Sequence, residues 1–205
     1  MTQYTLTCIN HSSRTGDFCV FQKLPSIMTM PGILFDTVWL VRPGIPGDSV
    51  TFAWTSDYGF TWSETGPLMP GVAVRANQTW PADPGGDNCI ELTADGSGAT
   101  AFDNASDKGT PGSLTIYQAG SVVPRQISIG IAMSGNPICA IQAVPKMTAV
   151  FTPQPSCYVT FGTFQQGQVI DLSDMLPSCQ RVIFAGTQTS ATVVLGANNL
   201  LSQTA

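Results

Sequence analysis

Apolar and polar residues alternate in short segments along almost the whole chain, and clusters of Gly, Pro, Asn and Asp separate these segments. Fifteen segments of this kind occur, from "YTLTCI" near the N-terminus to "ATVVLG" near Leu195. Such runs are typical of β-strands, because successive side chains of a strand point to opposite faces. One helical turn is predicted in "LSDMLPS", where Ser173 would cap a short helix that Pro177 ends. The pattern therefore predicts an all-β protein.

The connections between the predicted strands are mostly about 3–8 residues long, whereas a parallel crossover needs a dozen or more residues. Antiparallel pairing is therefore expected. We predict a single domain over residues 1–205, built as an antiparallel two-sheet β-sandwich of many short strands. A partly closed barrel is the alternative.

Residues 51–62, "TFAWTSDYGFTW", carry their aromatic side chains on one parity. The even positions are Phe52, Trp54, Ser56, Tyr58, Phe60 and Trp62. Burial of one strand face selects such alternation, so the even positions are predicted to line the core and the odd positions to face water. A single strand of twelve residues would be about twice the usual strand length, so a turn or a bend is expected within the segment. Two interpretations stay open: a hairpin with residues 56–58 as its loop, which pairs Trp54 with Phe60, or one strongly bent strand.

Charged residues are scarce, at 10% of the chain with a net charge of −5, against roughly 25% in a typical soluble domain. The surface must be covered largely by the 17 Ser and 23 Thr. The eight basic residues are scattered singly, so no nucleic-acid partner is predicted. Sheet proteins use Lys and other charged side chains to block edge-to-edge pairing, and with so few of them this chain is expected to associate with copies of itself.

The N-terminal residues "MTQYTLTCIN" contain neither a basic n-region nor an apolar h-region. A cytoplasmic protein is therefore expected, with later release to the exterior left open. Every apolar run is far shorter than the ~18 residues of a spanning helix, so membrane insertion is not predicted.

The chain has six cysteines: Cys8, Cys19, Cys89, Cys139, Cys157 and Cys179. Reduced thiols that serve as small buried side chains are the favoured interpretation. If a disulfide forms, the predicted pair is Cys8 with Cys19. Their flanking segments could lie side by side as antiparallel strands around the turn "NHSSRTG".

The sequence offers little catalytic chemistry. His11 is the only histidine, and nothing near it resembles a G-x-S-x-G elbow. Zinc spacings such as C-x-x-C are absent, so no metal and no cofactor is predicted. A glycosidase needs two carboxyl groups roughly 5–10 Å apart, and Asp57 and Glu64 are the candidates that flank the aromatic segment. No residue is assigned a catalytic role.

The best candidate for a ligand contact is Trp80, in the predicted loop "NQTWPADPGGDN"; the favoured interpretation of its side chain is that it packs against one end of the sandwich. Asp83, Asp87 and Asn88 follow in the same loop and supply the oxygen atoms that calcium or a glycan would use. A second oxygen-rich segment is "DNASDK", from residue 103 to residue 108. Because Asp, Asn and Gly are also ordinary turn residues, plain turns are the competing interpretation for both segments.

Several segments resemble the RhiA-type family of small bacterial proteins, which are expressed in the rhizosphere under quorum control. They are "YTLTCINHSSRTGDFCVFQ", "VTFAWTSDYGFTWSETG" followed by "QTWPADP", "SIGIAMSG" and "YVTFG", and they span most of the chain. The resemblance implies an intracellular β-rich protein made in quantity at high cell density, and it supplies no catalytic residues. The six cysteines exceed what that pattern leads one to expect.

Three functions follow from these observations. The leading hypothesis is a non-enzymatic structural protein that assembles with itself into a homo-oligomer, filament or lattice. The alternative is a lectin-like module that binds a glycan through Trp80 and the loop carboxylates and amides, with calcium as an assisting ion. A hydrolase built on Asp57 and Glu64, or on His11, is the third hypothesis.

Overall fold

The computed structural model describes residues 2–23, 33–153 and 156–204. These residues form seventeen strands. In chain order the strands are β1 Gln3–Asn10, β2 Gly16–Gln22, β3 Phe35–Asp36, β4 Val38–Gly44, β5 Ser49–Thr55, β6 Tyr58–Ser63, β7 Gln78–Ala82, β8 Cys89–Ala94, β9 Thr100–Ser106, β10 Leu114–Gln118, β11 Ser128–Met133, β12 Asn136–Gln142, β13 Thr148–Phe151, β14 Cys157–Gly162, β15 Gln180–Val182, β16 Ser190–Leu195 and β17 Leu201–Gln203.

The strands lie in four sheets. Sheet A has the order β17-β16-β1-β5 and sheet B the order β15-β14-β2-β4. Sheet C is β3-β12-β11-β6-β7, and sheet D is β13-β10-β8-β9. Consecutive strands often enter different sheets: β1 belongs to sheet A and β2 to sheet B, and β5 belongs to sheet A and β6 to sheet C.

The all-β prediction is confirmed, and within the described residues no sheet closes into a barrel. The strands divide among four sheets, where the sequence pattern suggested two. Two pairs are parallel, β1 with β16 and β8 with β10. Linker length limits pairing only between consecutive strands. Most of the chain separates β1 from β16, and β9 lies between β8 and β10 in the sequence, so parallel pairing is open to both pairs.

Four of the five aromatic residues on the even face of residues 51–62 are buried, as predicted: Phe52, Trp54, Phe60 and Trp62. Tyr58 is half-buried and Ser56 is exposed, because both lie where the chain passes between sheets. The hairpin interpretation is wrong, because β5 pairs with β1 whereas β6 pairs with β11 and β7. The chain passes from sheet A to sheet C at residues 56 and 57, so the segment is two strands in two sheets and not one bent strand.

The odd positions of this segment behave differently in the two strands. In β5 Thr51 and Ala53 are exposed, as expected of a wet face. In β6 Thr61 and Ser63 are buried, because residues 64–77 fold over that face. Ser63 Oγ donates a hydrogen bond to the carbonyl of Arg75 in this cover. The prediction of a wet odd face is therefore wrong for β6.

One buried cluster includes side chains from all four sheets, among them Leu6 in sheet A, Val20 in sheet B, Ile131 in sheet C and Ile116 in sheet D. The predicted helical turn is present as α1, Leu172–Met175, followed by a tighter turn over Leu176–Ser178. Its N-cap is Asp171, whose side chain accepts from the backbone N–H of Ser173. Among the described residues, no helix is long and apolar enough to span a bilayer.

Candidate functional site

His11 lies in an exposed turn after β1, beside a hydrogen-bonded cluster. Asn10 is fully buried, and its Oδ1 accepts from Ser12 N at 2.9 Å and from Ser12 Oγ at 2.7 Å. Asn10 Nδ2 donates to the carbonyls of Arg14 at 2.8 Å and Gly44 at 3.0 Å. The hydroxyl of Ser12 is thus committed to shaping the turn, a structural role for this segment.

Asp57 and Glu64 do not come together. They flank opposite ends of β6, which at roughly 3.3 Å per residue puts their backbones on the order of 20 Å apart. Asp57 accepts hydrogen bonds from the hydroxyls of Thr55 and Ser134, the latter at 3.2 Å, and so anchors the passage between sheets. A glycosidase needs its carboxyl groups at less than half that separation.

The predicted ligand loop around Trp80 is partly strand. Trp80 lies in β7, opposite Phe60 of β6, and is 37% exposed. The prediction that Trp80 sits in a loop is therefore wrong. Residues 78–82 form β7, the edge strand of sheet C, which pairs with β6. Asp83 and Asp87 form an exposed turn after β7: Asp83 N donates to the carbonyl of Asp87 at 3.1 Å, and Asp83 Oδ1 accepts from Gly85 N at 2.9 Å.

Asn88 faces the interior and is only 3% exposed. Its Oδ1 accepts from Gly109 N at 2.9 Å, and its Nδ2 donates to the carbonyl of Thr110 at 3.1 Å. Both ends of the amide are thereby used to hold the following loop, so Asn88 does not join Trp80, Asp83 and Asp87 on the surface. In the described part of the chain no three His, Cys, Asp or Glu residues are arranged to hold a metal ion.

The predicted disulfide between Cys8 and Cys19 depended on their segments being adjacent antiparallel strands. Cys8 lies in β1 of sheet A and Cys19 in β2 of sheet B, and both are free thiols. The predicted neighbouring placement is therefore wrong, because the chain changes sheets at the turn between them. Burial, and then the proximity of Cys157, raise the pKa of Cys8 to about 12. Burial also raises the pKa of Cys19, with Cys179 and Asp17 adding to it.

An aromatic cavity that was not predicted from the sequence lies where strands of sheets A, B and C end. Its volume is about 20 Å³, and its aromatic walls come from Tyr4, Trp54, Tyr58 and Phe184. Tyr4 and Trp54 stack with ring centroids 6.1 Å apart, and Phe184 meets Tyr4 edge-on at 5.1 Å. Burial, and then the nearby Tyr4, raise the pKa of Tyr58 above its ordinary value.

Gln22, the last residue of β2, supplies a polar group to the same cavity. Its side chain is 2% exposed, and its Nε2 donates weakly to Met133 Sδ at 3.5 Å. Its Oε1 has no hydrogen-bond partner among the described residues. Buried carbonyl oxygens are nearly always paired, so this oxygen is an exception within the core.

The cavity adjoins a surface groove of about 550 Å³. Tyr4 and Phe184 line both of them, and the groove adds polar side chains from Ser156, Arg181 and Gln188. A groove of this size is in the range that holds a small organic ligand. The lining residues come from distant parts of the chain, and each reads locally as an ordinary strand residue, so only the alternation that buries Trp54 could have drawn attention to the region.

The fold and the cavity define the class of the protein: it is an all-β protein whose four sheets share one large buried cluster, with an aromatic cavity between sheet ends. Within that class the chain belongs to the RhiA family, whose model matches residues 1–204. It is 37% identical over 166 residues to Protein RhiA of Rhizobium leguminosarum bv. viciae, an alignment that covers 79% of this chain and 69% of that protein. The family resemblance read from the sequence is confirmed. No solved structure matches the chain significantly.

Proposed function

We propose that the protein is a non-enzymatic structural protein that self-associates into an ordered assembly by pairing the edge of β13 with a second copy. The edge of β13 is the observation that carries the proposal. In the described part of the chain, β13 pairs on one side only, with β10, and it contains no charged residue. An unpaired edge presents backbone N–H and C=O groups that can template another strand.

Other sheet margins are linked to one another inside the molecule. β7 and β9 are joined by Gln78, whose Oε1 accepts from Phe102 N at 3.0 Å. The segment after β15 is joined to β17 by Gln203, which bonds the backbone N–H of Ile183 at 2.9 Å and its carbonyl at 2.7 Å. Among the described residues β13 shows no comparable link, which favours it as the margin open to a second copy.

Low charge supports the same proposal. With 10% charged residues and a net charge of −5 on 205 residues, repulsion between copies is weak at ordinary salt concentrations. The non-enzymatic part of the proposal is supported by the separation of Asp57 from Glu64 and by the commitment of the Ser12 hydroxyl to Asn10. The family resemblance supports an intracellular site for the assembly, in bacteria at high cell density.

The test is sedimentation velocity and light scattering from micromolar to near-millimolar protein at low salt, with electron microscopy of the concentrated sample. We expect a concentration-dependent assembly in the wild-type protein. Val150→Lys places a charge in the middle of β13, and we expect it to raise the concentration needed for assembly about tenfold or more, since a like charge on an edge opposes strand addition. Ser190→Lys, which adds the same charge at an exposed position of β16, a strand with neighbours on both sides in sheet A, is the matched control.

A wild-type protein that stays monomeric over the whole range would refute self-association. Assembly that is equally insensitive to both lysine variants would refute the role of β13. The glycan-binding alternative at Trp80, Asp83 and Asp87 stays a prediction, and the inward orientation of Asn88 removes one of its four residues. A glycan array with and without a chelator, repeated with Trp80→Ala, tests it.

A further inference from the structure

We propose that the second copy binds through its own β13, so that two molecules pair about a two-fold axis with Thr148 of one opposite Val150 of the other. The inference rests on the self-association proposed above, and it adds the partner surface and the register. Two four-stranded sheets D then form one continuous sheet. The pairing uses the β13 edge of both copies and therefore closes at a dimer.

The first step is the direction of the backbone groups of β13. Gln118 N donates to the carbonyl of Met147 at 2.9 Å, so these two residues form a hydrogen-bonded pair. In antiparallel strands such pairs alternate with non-hydrogen-bonded ones. Following the register of β13 with β10, Thr148 and Val150 belong to the second kind. Their N–H and C=O groups therefore point away from sheet D.

The second step concerns the other strands that end a sheet, which are β3, β4, β5, β7, β9, β15 and β17. The side chain of Gln78 joins β7 to β9, and that of Gln203 joins β17 to the segment after β15. Residues 167–170 run beside β3 and β4. There Val38 N donates to the carbonyl of Gln168 at 2.9 Å. Six of these seven strands are thus linked to a neighbouring segment.

The seventh strand, β5, is held at both ends. A turn joins its start to β4, with Asp48 N donating to the carbonyl of Ile45 at 3.1 Å. At its last residue, Thr55 N donates to Ser134 Oγ at 2.9 Å. Within the described ranges β13 shows no such link. The margin left to receive β13 of one copy is therefore β13 of another.

The third step is the register. Antiparallel pairing about an axis normal to the sheet keeps the core faces of both copies on the same side. Thr148 opposite Val150 of the partner subunit makes one hydrogen-bonded pair, and the axis generates a second. All outward N–H and C=O groups of these two residues are then used. Ala149 lies on the axis, opposite its own counterpart.

The fourth step is the side chains of β13. Thr148 and Val150 are β-branched and half-buried on the outer face, a combination that suits cross-strand contact. Ala149 and Phe151 are buried on the core face. Symmetric pairing brings a strand against its own sequence, and like charges directly opposite each other are destabilising. Because β13 carries no charge, it meets no such penalty.

Sedimentation equilibrium of the full chain, from micromolar to near-millimolar concentration, measures the size of the assembly. We expect the mean mass to rise to that of a dimer and to go no further. Growth beyond the dimer without a plateau would overturn the two-fold pairing and leave self-association standing. A protein that stays monomeric would overturn both proposals.

Hydrogen exchange of the wild-type protein, followed by NMR at low and high concentration, locates the interface. The amides of Thr148 and Val150 should exchange about fivefold more slowly when most of the protein is dimeric, because each then donates to the partner. Thr51 and Ala53 of β5 serve as the reference and should keep their rates. Slowing at these two reference amides, or unchanged exchange at Thr148 and Val150 in the assembled protein, would overturn the proposal.

A charge swap tests the register. In a mixture of Thr148→Lys and Val150→Glu proteins, the heterodimer places the introduced ammonium opposite the introduced carboxylate. We expect the heterodimer to form about threefold more tightly than either variant pairs with itself. Thr148→Lys mixed with Val150→Lys is the matched control and should show no gain. Equal affinities in the two mixtures would refute the register, and if a variant does not fold, hydrogen exchange of the wild-type protein decides.

Discussion

Most of the thiols are enclosed by apolar side chains, and this fixes their protonation. Burial, the largest cause, raises the pKa of Cys157 to about 12, and burial likewise raises the pKa of Cys139 above its ordinary value. Cys8 has a pKa raised to about 12 for the same reason, with Cys157 adding to it. At neutral pH these groups are therefore neutral and act as small apolar side chains.

The raised pKa values predict alkaline destabilisation. A thiol in an unfolded chain ionises near pH 8.5, so its protonation favours the folded state fully below that pH. This contribution to the free energy of unfolding is lost as the pH rises from about 8.5 toward the folded pKa, since the unfolded state sheds its proton first. Urea unfolding in a reducing buffer at several pH values from 7.5 upward should show the decline.

Cys157→Ala isolates the effect from the titration of tyrosines and lysines. The variant is expected to be less stable at neutral pH, because it leaves a small void. Its stability should fall less steeply above pH 8.5 than that of the wild-type protein. An equal slope in both proteins would show that Cys157 does not ionise in the expected way.

At the scale of the strand, the neighbouring backbone leaves no room for a side chain at Gly130. Gly130 of β11 lies opposite Ala140 of β12, and a Cβ atom at this position would collide with the carbonyl oxygen of Cys139. A carbonyl inside a sheet cannot move aside as a flexible side chain can. The absence of a side chain is thus a condition for the pairing of β11 with β12.

Gly130→Ala is expected to destabilise the protein by about 2–3 kcal/mol or to prevent its folding, as overpacking against a fixed backbone does. Gly96→Ala is the matched control. A Cβ atom at Gly96 would have no other atom within 4 Å, so the stability of the Gly96→Ala protein should change little. Urea unfolding of both variants measures the difference. Similar stabilities for the two would contradict the close approach at Gly130.

Individual strands could be predicted from the sequence because alternation is a local signal. The burial of Trp54 and Phe60 followed from their common parity. The burial of Thr61 could not be predicted, because it depends on residues 64–77, which cover β6 from outside, and parity does not show which segment covers a strand. The break between β5 and β6 was hidden for a related reason: parity reports which face a residue occupies and not which sheet its strand joins.

At the scale of the whole molecule, Gln78 connects two sheets. It lies in β7 of sheet C, and its Oε1 accepts from Trp62 Nε1 at 2.9 Å within that sheet and from Phe102 N of sheet D at 3.0 Å. Trp62 is nearly buried and Phe102 is buried. One carbonyl oxygen therefore satisfies two donors that have little access to water.

Gln78→Leu is expected to lower the free energy of unfolding by about 2 kcal/mol or more, because both donors lose their acceptor. Gln126→Leu, at an exposed position, controls for the change in surface polarity and should have little effect. Hydrogen exchange adds a site-specific measure: the Phe102 amide should exchange faster in Gln78→Leu. Unchanged protection of that amide would contradict the bond.

The division of the strands into four sheets and the aromatic cavity are features of the whole molecule. Neither could be predicted from the sequence. Tyr4, Trp54, Gln22 and Phe184 sit on four separate segments, and no spacing rule connects them. The oxygen-rich loop was conspicuous because its residues are consecutive, yet Asn88 points inward to hold Gly109. Proximity in sequence thus does not show which side chains share a surface, and a cavity assembled from strand ends leaves no contiguous motif.

The parallel pairing of β1 with β16 sets the order in which the molecule can be completed. β1 lies in the interior of sheet A, between β5 and β16, and β16 is synthesised roughly 180 residues after β1. At translation rates of about 5–20 residues per second, the side of β1 that receives β16 waits on the order of 10–40 s on the ribosome. During that time β1 lacks one of the two neighbours that it has in the finished sheet.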